Sequence, residues 1–588
     1  MKKTILFVVI ILASVKVCSA TKAYKIKGQL EKWNVLTIDF NGPEANAYDN
    51  EPNPFLDYRL TIEFKAPSGN IYLVPGFYNG NGKGENSGTI WSVRFAPDET
   101  GEWTFKAYFR KGKQIAVLDN EPGEPAAFDG QNGKFNIKAA EGNAPGFKRK
   151  GRLKYVGKHY YKFSDDGYWI KGGTDSPEDF LAYKGFTNTP FATHSYSSHV
   201  QHWNPGDPDW EDGKGKGIIG ALNYLSENNV NSIYFLPMNI GGDGKNVWPF
   251  LGVINRKGDP ANDNLHYDIK KLHQWETVFS HAQNKGIFLH FVLNEAEEMN
   301  KKELDDGTLG VERKLFYRDM IARFSHHLAL QWNICEEYNL QYKLSPELIK
   351  SFAAYINKID PYKHSITVHH ASTVEKSWPP FYSDKLFEAT SFQTRNVNDI
   401  QIWRKKSSDA GNPQVMCLDE LFPDKASSEN AERHRREYIW PIYFSGGQAE
   451  YILDELLKTE DFSNYQNYWK YLWYARKFIE INLPFWGMEP MDELLKGESN
   501  FEGAHSQCYG RVFAKKGEVY AIYFPNAKET GKLNLTGIHG DFLQKWYNPR
   551  KGEFEGPTRV IKGNGWLDMG NPPSSLEDDW TELLIKIK

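Results

Sequence analysis

Short apolar runs alternate with amphipathic segments from about residue 150 to about residue 490, and this repetition constrains the fold more than any other feature of the chain. Two of the intervening segments, His273–Asn284 and Pro346–Lys358, have the pattern of helices. Eight strands with helices between them, in a block of this length, favour a (β/α)₈ TIM barrel over an open doubly wound sheet. No Gly-x-Gly-x-x-Gly motif follows the first run, so the usual signal of a dinucleotide-binding fold is missing. The eight runs are Tyr168–Lys171, Asn231–Pro237, Gly286–Leu293, Leu328–Ile334, His364–His369, Leu386–Ser391, Gln414–Leu418 and Gln448–Leu453.

The segments on either side of this block are predicted to be all β. Before it, runs such as Val35–Phe40 and Trp103–Phe109 alternate apolar and polar residues between turn clusters, which is typical of an immunoglobulin-like sandwich. After it, Glu518–Phe524 and Trp580–Ile585 alternate in the same way. We therefore predict a signal peptide over 1–20, an immunoglobulin-like β-sandwich over 21–145, the barrel over 146–495 and a C-terminal β-sandwich over 496–588.

The first 20 residues have the pattern of a cleaved export signal. Lys2 and Lys3 precede the apolar segment Thr4–Val15, which is too short to span a bilayer comfortably. No later stretch approaches about 18 consecutive apolar residues, so we expect a periplasmic or secreted protein without a membrane span. A lipid anchor on Cys18 is less favoured, because Lys16 interrupts the small and apolar residues that a lipoprotein signal requires.

Composition excludes several classes of protein. Lys and Arg total 71 against 75 Asp and Glu, a net charge of −4, whereas a dedicated nucleic-acid binder needs a basic excess. Aromatic residues make up 15% of the chain, and their rings suit both sandwich cores and stacking on sugars. No pair of cysteines has the Cys-x-x-Cys spacing of a thiolate zinc site. We expect no metal site and no organic cofactor.

Acidic pairs end two of the predicted barrel strands. Glu336 and Glu337 follow the fourth run, and Asp419 and Glu420 follow the seventh. Barrel enzymes place their chemistry at these strand ends, and two facing carboxylates are what glycoside hydrolysis requires. Acidic pairs also cap helices, bind cations or lie in solvated loops. Two pairs on these two strands, in an aromatic-rich chain with an export signal, favour the catalytic interpretation.

The two segments resemble motifs of a known enzyme group. Glu336–Asn339 is similar to the strand-four Asn-Glu-Pro motif of clan A glycoside hydrolases, the retaining barrel enzymes, and Cys417–Glu420 resembles their strand-seven segment. The resemblance implies that Glu337 is the acid/base and Glu420 an ionised nucleophile, with the pKa of Glu337 raised by burial and by the Glu420 charge. Glu336 stands where the motif has Asn, so Glu336 remains an alternative acid/base. A register shift by one residue would pair Glu336 with Asp419.

The whole chain also resembles bacterial glycoside hydrolases related to the apiosidases. Those proteins combine an N-terminal immunoglobulin-like domain of unknown function, a barrel and a β domain named for collagen binding, from which we draw no collagen function. The resemblance says little about the sugar; we expect a plant or algal polysaccharide or oligosaccharide as substrate, and the residues do not choose between the two. We expect the flanking β domains to pack against the barrel rather than to bind glycan. The segments that carry this resemblance are Asn53–Arg59, Val74–Tyr78, Trp91–Phe95, Tyr267–Trp275 and Trp546–Arg550.

Residues at the other strand ends are candidate sugar contacts. Adjacent strand residues diverge, so His369 and His370 are predicted to bind hydroxyl groups or to pack in the core rather than to share one metal. Tryptophans in loop-like segments are candidate stacking platforms: Trp203, Trp210, Trp248, Trp378 and Trp403. The predicted substrate-binding residues are Glu336, His369, His370, Asn239, Asp175, Trp248, Glu297, Gln393 and Trp378.

Two other functions remain open. A catalytically inactive carbohydrate-binding or adhesion protein would keep the β domains and lack convergent carboxylates in the barrel. A metal-dependent hydrolase would use His369, His370 and nearby acids, although the His-x-His signature after a first strand is missing.

Overall fold

The structure is a computed structural model, and it describes residues 24–252, 262–371, 373–421 and 425–587. The predicted signal peptide and Cys18 lie outside these ranges. No helix within them is both long enough and apolar enough to cross a membrane.

Two antiparallel sheets form the N-terminal region. Leu60, Ile62 and Phe64 alternate with polar residues along one strand and point between the sheets, as a period of two requires. Phe64 stacks on Phe95 of the opposite sheet with ring centres 4.2 Å apart. The region is therefore a two-layer β-sandwich, while its immunoglobulin-like class stays a prediction. Its strands are β1 (Tyr24–Gly28), β2 (Leu36–Asn46), β3 (Tyr58–Lys65), β4 (Ile71–Pro75), β5 (Phe77–Tyr78), β6 (Ser87–Phe95), β7 (Gly101–Lys111), β8 (Glu124–Pro125) and β9 (Asn132–Ile137), with orders β1-β2-β6-β5 and β4-β3-β7-β8 and with β9 paired to β7.

A short hairpin, β10 (Leu153–Lys154) and β11 (Lys162–Phe163), follows the sandwich. Leu153 and Phe163 pack in one apolar cluster with Phe288 and Cys417, which are the first residues of two barrel strands. The hairpin thus closes the amino-terminal end of the barrel, so the opposite end is left for a functional site.

Eight parallel strands form one curled sheet in the order β16-β15-β14-β13-β12-β19-β18-β17. A parallel bridge between His369 and Ser391 links its two edges, as in a (β/α)₈ barrel. The first strand begins after the predicted run, because Gly172 and Gly173 have no apolar side chains to mark it. The strands are β12 (Gly172–Thr174), β13 (Ser232–Phe235), β14 (Phe288–Val292), β15 (Leu330–Asn333), β16 (Ser365–Thr367), β17 (Phe392–Gln393), β18 (Cys417–Leu421) and β19 (Gln448–Tyr451).

Helices follow most of the barrel strands and cover the outside of the sheet. The two predicted helices are present as α2 and α5, and Asp268 and Ser345 cap their first turns by accepting hydrogen bonds from backbone N–H groups. The helices are α1 (Lys216–Glu227), α2 (Ile269–Asn284), α3 (Glu298–Glu303), α4 (Val311–Phe324), α5 (Pro346–Ile359), α6 (Val374–Ser377), α7 (Asn398–Asp409), α8 (Ser428–His434), α9 (Trp440–Phe444) and α10 (Gln466–Asn482).

The C-terminal region contains a six-stranded sheet, β20-β24-β25-β30-β27-β28, and a three-stranded sheet, β21-β26-β29. Strand β25 alternates between two cores: Tyr520 and Ile522 point into the C-terminal core, while Tyr523 stacks on Trp440 of the barrel. One face of the larger sheet therefore packs against the barrel, as expected. The strands are β20 (Glu489–Pro490), β21 (Leu495–Glu498), β22 (Phe501–Glu502), β23 (Gln507–Cys508), β24 (Arg511–Lys515), β25 (Val519–Phe524), β26 (Thr530–Asn534), β27 (Asp541–Asn548), β28 (Glu553–Lys562), β29 (Trp566–Asp568) and β30 (Trp580–Lys586).

Candidate active site

A cavity of about 680 Å³ opens at the carboxyl ends of the barrel strands. Nine of its fourteen lining residues are acidic and one is a lysine, so the wall is strongly negative unless protons or cations neutralise it. The lining residues are Glu178, Asp243, Glu295, Ala296, Glu297, Glu336, Glu337, Glu420, Ile452, Asp454, Glu455, Leu456, Leu457 and Lys458.

Glu337 lies in the turn after β15, in a backbone conformation with φ of 38°. This left-handed region is unfavourable for a residue with a side chain, and such strain persists only where the surroundings hold it. Lys301 supplies part of that hold, because its ammonium group donates to the backbone carbonyl oxygens of Glu337 and Leu340 at 2.8 Å each. The chain turns here so that consecutive glutamates both reach the cavity.

Glu420 lies within β18 and pairs in register with Gln393 of β17. The side chain of Gln393 approaches the carboxyl groups of both Glu337 and Glu420, so the two predicted catalytic residues meet around one amide. Burial raises the pKa of Glu420 to about 7, and the charge of Glu337 adds to the rise. Burial also raises the pKa of Glu337, with a contribution from Asp243. The surroundings therefore favour the protonated form of both carboxyls relative to a carboxyl in water.

Glu336 lines the same cavity and is closer to the barrel axis. The hydroxyl of Tyr234 donates to its carboxylate at 3.4 Å and also lies 3.5 Å from Nδ1 of His369. Nε2 of His369 is 3.4 Å from a carboxylate oxygen of Glu420. A ligand atom of Glu336 lies within 4.8 Å of one of Glu420, so the geometry brings both Glu336 and Glu337 close to the proposed nucleophile.

Two further predicted residues lie beside the cavity without lining it. Asp175 is 1% exposed, and neither of its carboxylate oxygens has a hydrogen-bond partner among the described residues. Burial, and then the charges of Glu420 and Glu336, raise its pKa well above the usual range. His370 is fully buried against Phe392, and no metal-compatible group within the described ranges contains both His369 and His370.

Three predicted sugar contacts are instead structural. Asn239 accepts hydrogen bonds from the backbone N–H groups of Asn246 and Val247 and so ties its own loop together. Trp248 and Trp378 are fully buried, and the indole of Trp378 donates to Gln414 at 3.0 Å. These predictions were wrong in placing the side chains in the cavity, because position after a strand does not show which way a side chain turns.

The remaining tryptophans proposed as stacking platforms also pack within the protein. Trp403 belongs to α7 rather than to a loop and is 2% exposed. Trp210 stacks on Phe186, and Trp203 lies under the ammonium group of Lys216. Trp203 and Trp210 are half-buried, and neither lines the cavity.

Asp419 points away from the cavity and into the barrel interior. It forms a fully buried ion pair with Lys171 at 3.0 Å, and Lys171 also contacts Glu450 at 3.2 Å. His290 lies 2.7 Å from Glu450, and Ser232 donates to the same carboxylate. These five residues are called the interior cluster below. Because Asp419 belongs to the interior cluster, its carboxylate does not line the cavity. The alternative pair of Glu336 with Asp419 therefore does not face a substrate there.

Sequence reasoning missed several residues of the cavity or its support, and Glu178, Lys458 and Lys301 are the charged ones among them. Glu178 follows the first strand by four residues and was overlooked in favour of Asp175, although an acid in any strand-end loop is a candidate. Lys458 comes from the loop after the last strand. Lys301 lies on α3, and no local pattern indicates that it supports Glu337.

Two family models match separate parts of the chain. Residues 29–110 match a family described as "Domain of unknown function (DUF5060)", and residues 498–585 match one described as "Putative collagen-binding domain of a collagenase". These matches fall inside the two predicted β domains, whose exact boundaries stay a prediction. No curated protein matches the chain.

Solved structures share the fold at low sequence identity. A protein described as a "putative glycoside hydrolase" from Bacteroides vulgatus ATCC 8482 is 14% identical, with 95% of this chain and 99% of that chain covered and a TM-score of 0.64. A "glycoside hydrolase family 5" protein from the same strain is 14% identical, with 74% and 94% covered and a TM-score of 0.52. A third, described as "Glycoside hydrolase", is 13% identical, with 74% and 97% covered and a TM-score of 0.53. The chain has the fold of these proteins.

Proposed function

We propose that this protein is a retaining glycoside hydrolase that cleaves O-glycosidic bonds in a polysaccharide or oligosaccharide. One observation carries the proposal: Glu337 and Glu420, from strands four and seven of the barrel, line one cavity and approach the same Gln393 amide. Solved proteins of the same fold that are described as glycoside hydrolases support it. Export to the periplasm or beyond, and a plant or algal substrate, belong to the same proposal.

The two carboxyl groups would act in two steps. In the first, the Glu420 carboxylate attacks the anomeric carbon while Glu337 protonates the departing glycosidic oxygen, which leaves a glycosyl ester on Glu420. In the second, Glu337 removes a proton from water as that water attacks the anomeric carbon and releases Glu420. Two displacements at one carbon retain its configuration.

The protonation states of Glu337 and Glu420 before substrate binds affect this two-step scheme. The mechanism needs Glu420 ionised and Glu337 protonated, whereas the pKa of Glu420 is raised to about 7. At neutral pH the pKa of Glu420 lies close to the solution pH, so both its protonated and its ionised forms are populated. The productive state is then one of several proton distributions in a coupled group of carboxyls. This departs from the fully ionised nucleophile that the sequence led us to expect.

A panel of defined oligosaccharides tests the proposal directly. Reducing-end release identifies a substrate, and the anomeric configuration of the first product identifies the mechanism. We expect Glu420→Gln and Glu337→Gln to lower kcat by about 10³-fold or more, since each removes a group that acts in the transition state. Glu518→Gln, which changes an exposed side chain 58% accessible in the C-terminal region, is the matched control and should keep full activity. An inverted product would overturn the retaining mechanism, and parental rates in Glu337→Gln would overturn its assignment.

Azide resolves whether Glu336 or Glu337 is the acid/base. With an activated aryl glycoside of the sugar found in the panel, the nucleophile can still be glycosylated when the acid/base is replaced by alanine. Azide then completes the second displacement and yields a glycosyl azide of retained configuration. We expect this product from Glu337→Ala and not from Glu336→Ala. Glu420→Ala should instead give the azide of inverted configuration, because azide replaces the nucleophile itself.

A further inference from the structure

Three acidic side chains from different barrel loops converge at one point of the cavity wall. Glu178 follows β12, Glu295 follows β14 and Glu336 follows β15, and one oxygen from each lies within 4.8 Å of the other two. Two oxygens bound to the same calcium ion at about 2.4 Å can be at most about 4.8 Å apart. The spacing of the three carboxylates therefore permits a single ion to contact all of them.

The carboxylate of Glu295 is buried without a hydrogen bond of ordinary geometry in the described part of the chain. Its residue is 1% exposed, and neither oxygen makes a hydrogen bond to any described residue; the Asp243 backbone N–H faces it outside hydrogen-bond geometry. A buried carboxylate without a partner is costly, so such a group indicates a ligand that the protein chain itself does not supply. Glu295 nevertheless lines the cavity, and hence a small ion can reach it.

The backbone at each of the three positions is fixed. The N–H of Glu336 donates to the Asn294 carbonyl at 2.8 Å, and the N–H of Glu295 donates to the Asn300 side chain at 2.7 Å. The carbonyl of Glu178 accepts from the N–H of Leu236 at 2.9 Å. These bonds anchor the three side chains around one point, and the repulsion between their ionised carboxylates favours a cation between them.

Gly242 makes the approach of Glu295 possible. A Cβ atom at residue 242 would lie 1.1 Å from one carboxylate oxygen of Glu295, so any side chain there would displace that group. The loop after β13 is thus shaped around the carboxylate rather than around an apolar contact.

We propose that Glu178, Glu295 and Glu336 bind one calcium ion in the wall of the cavity. All three ligands are hard carboxylate oxygens, which Ca²⁺ accepts in irregular arrangements, whereas Zn²⁺ sites commonly use nitrogen or sulfur. Glu336 would then be a ligand of the ion, and Glu337 would be the one of these two consecutive glutamates that faces the substrate. The site revises the expectation of no metal, and it stands whether or not the cavity cleaves a glycan.

Calorimetric titration of the full chelator-treated chain with CaCl₂, in about 150 mM NaCl and without any glycan, tests the site. We expect one ion per chain with a dissociation constant between about 10⁻⁷ and 10⁻⁴ M, and a higher Tm in Ca²⁺ than in EDTA. Glu295→Gln should weaken binding at least tenfold. Gly242→Ala, which leaves all three carboxylates in the sequence, should weaken it to a similar degree.

Glu455→Gln is the matched control, since Glu455 lines the same cavity outside the three-residue group. Its calcium affinity should stay within threefold of the parent. The proposal is overturned if the parent shows neither binding nor a Tm shift, if Glu295→Gln binds like the parent, or if Glu455→Gln loses as much affinity as Glu295→Gln. The calorimetric readout is calcium binding alone. A lack of activity on every oligosaccharide of the panel would therefore leave the calcium proposal unaffected, and a lack of calcium binding would leave the glycosidase proposal unaffected.

Discussion

Glu450 in the barrel interior and Glu420 at the barrel mouth are both buried carboxyl groups, yet their surroundings shift their pKa values in opposite directions. In the interior cluster, Glu450 is fully buried but lies between Lys171 and His290, and although burial alone would raise its pKa, these charges lower it to about 2. At the mouth, burial and then the charge of Glu337 raise the pKa of Glu420 to about 7, and no Lys or Arg of the described residues pairs with it. The same chemical group is held charged in one place and kept close to its proton in the other.

Asp419 and Glu420 show how local this difference is. They are consecutive residues of one strand, so their side chains point in opposite directions. Asp419 reaches Lys171 in the interior, and Glu420 reaches the cavity. A strand that ends in two acids can thus use one to fix its own position and expose the other to chemistry.

The largest expected effect comes from breaking the interior cluster. Lys171→Met leaves Asp419 and Glu450 buried without their cation, and removing one partner of a buried ion pair destabilises by about 3–5 kcal/mol. We expect a large fall in the free energy of unfolding by urea denaturation at pH 7. The double variant Lys171→Met/Glu450→Gln should recover part of it. A loss below about 1 kcal/mol in the single variant would show that the interior charges are not what distinguishes the two regions.

A smaller effect of opposite sign is expected at the mouth. Asp175 has a pKa raised well above its usual range, so its contribution to stability is fully present below its unfolded pKa of about 4 and is lost as pH rises from there toward its folded pKa. Asp175→Asn should therefore raise the free energy of unfolding at pH 8 by about 1–3 kcal/mol, as expected for relieving an unpaired buried group.

The pH series of that variant, measured by thermal unfolding in EDTA, provides its check. The gain in Tm over the parent should grow from pH 4 to pH 8, because the cost of the carboxyl is present only where the unfolded chain would be ionised. A gain that is constant with pH would mean that packing rather than ionisation is responsible. A loss of stability at pH 8 would contradict the contrast between mouth and interior.

The decrease in activity on the acid side of the pH profile, its acid limb, reports the pKa of Glu420 at the barrel mouth. Because Glu420 must be ionised and its pKa is about 7, kcat/KM should fall tenfold per unit, about 1.4 kcal/mol, as pH decreases below about 7. In Glu337→Ala with an activated aryl glycoside, the limb should move to lower pH, since the Glu337 charge no longer raises the pKa of Glu420. An acid limb near pH 4.5 in the parent would show an ordinary, solvated nucleophile.

The barrel could be predicted from the sequence because the alternation of apolar runs and helical segments, and the length of each, are properties of whole segments rather than of single residues. Eight apolar runs with helices between them survive errors of several residues, as the displaced first strand at Gly172 shows. Strand-end position was also enough to bring Glu337 and Glu420 to one cavity. The errors concern orientation. Trp248 and Asn239 follow a strand as the sequence requires, yet their side chains turn into the core, because long loops fold back on themselves through contacts that no local pattern records.

The smallest effect on stability is predicted for a surface ion pair whose distance is as short as those in the interior cluster. Lys405 lies 2.7 Å from Asp409 on α7, closer than Lys171 is to Asp419, but its side chain is 76% exposed. Water and salt screen such pairs, so Lys405→Met should change the free energy of unfolding by no more than about 0.5 kcal/mol. The same substitution at Lys171 should cost several times more. Equal losses in the two variants would mean that burial does not decide the worth of a charge pair in this barrel, and the contrast between interior and mouth would lose its physical basis.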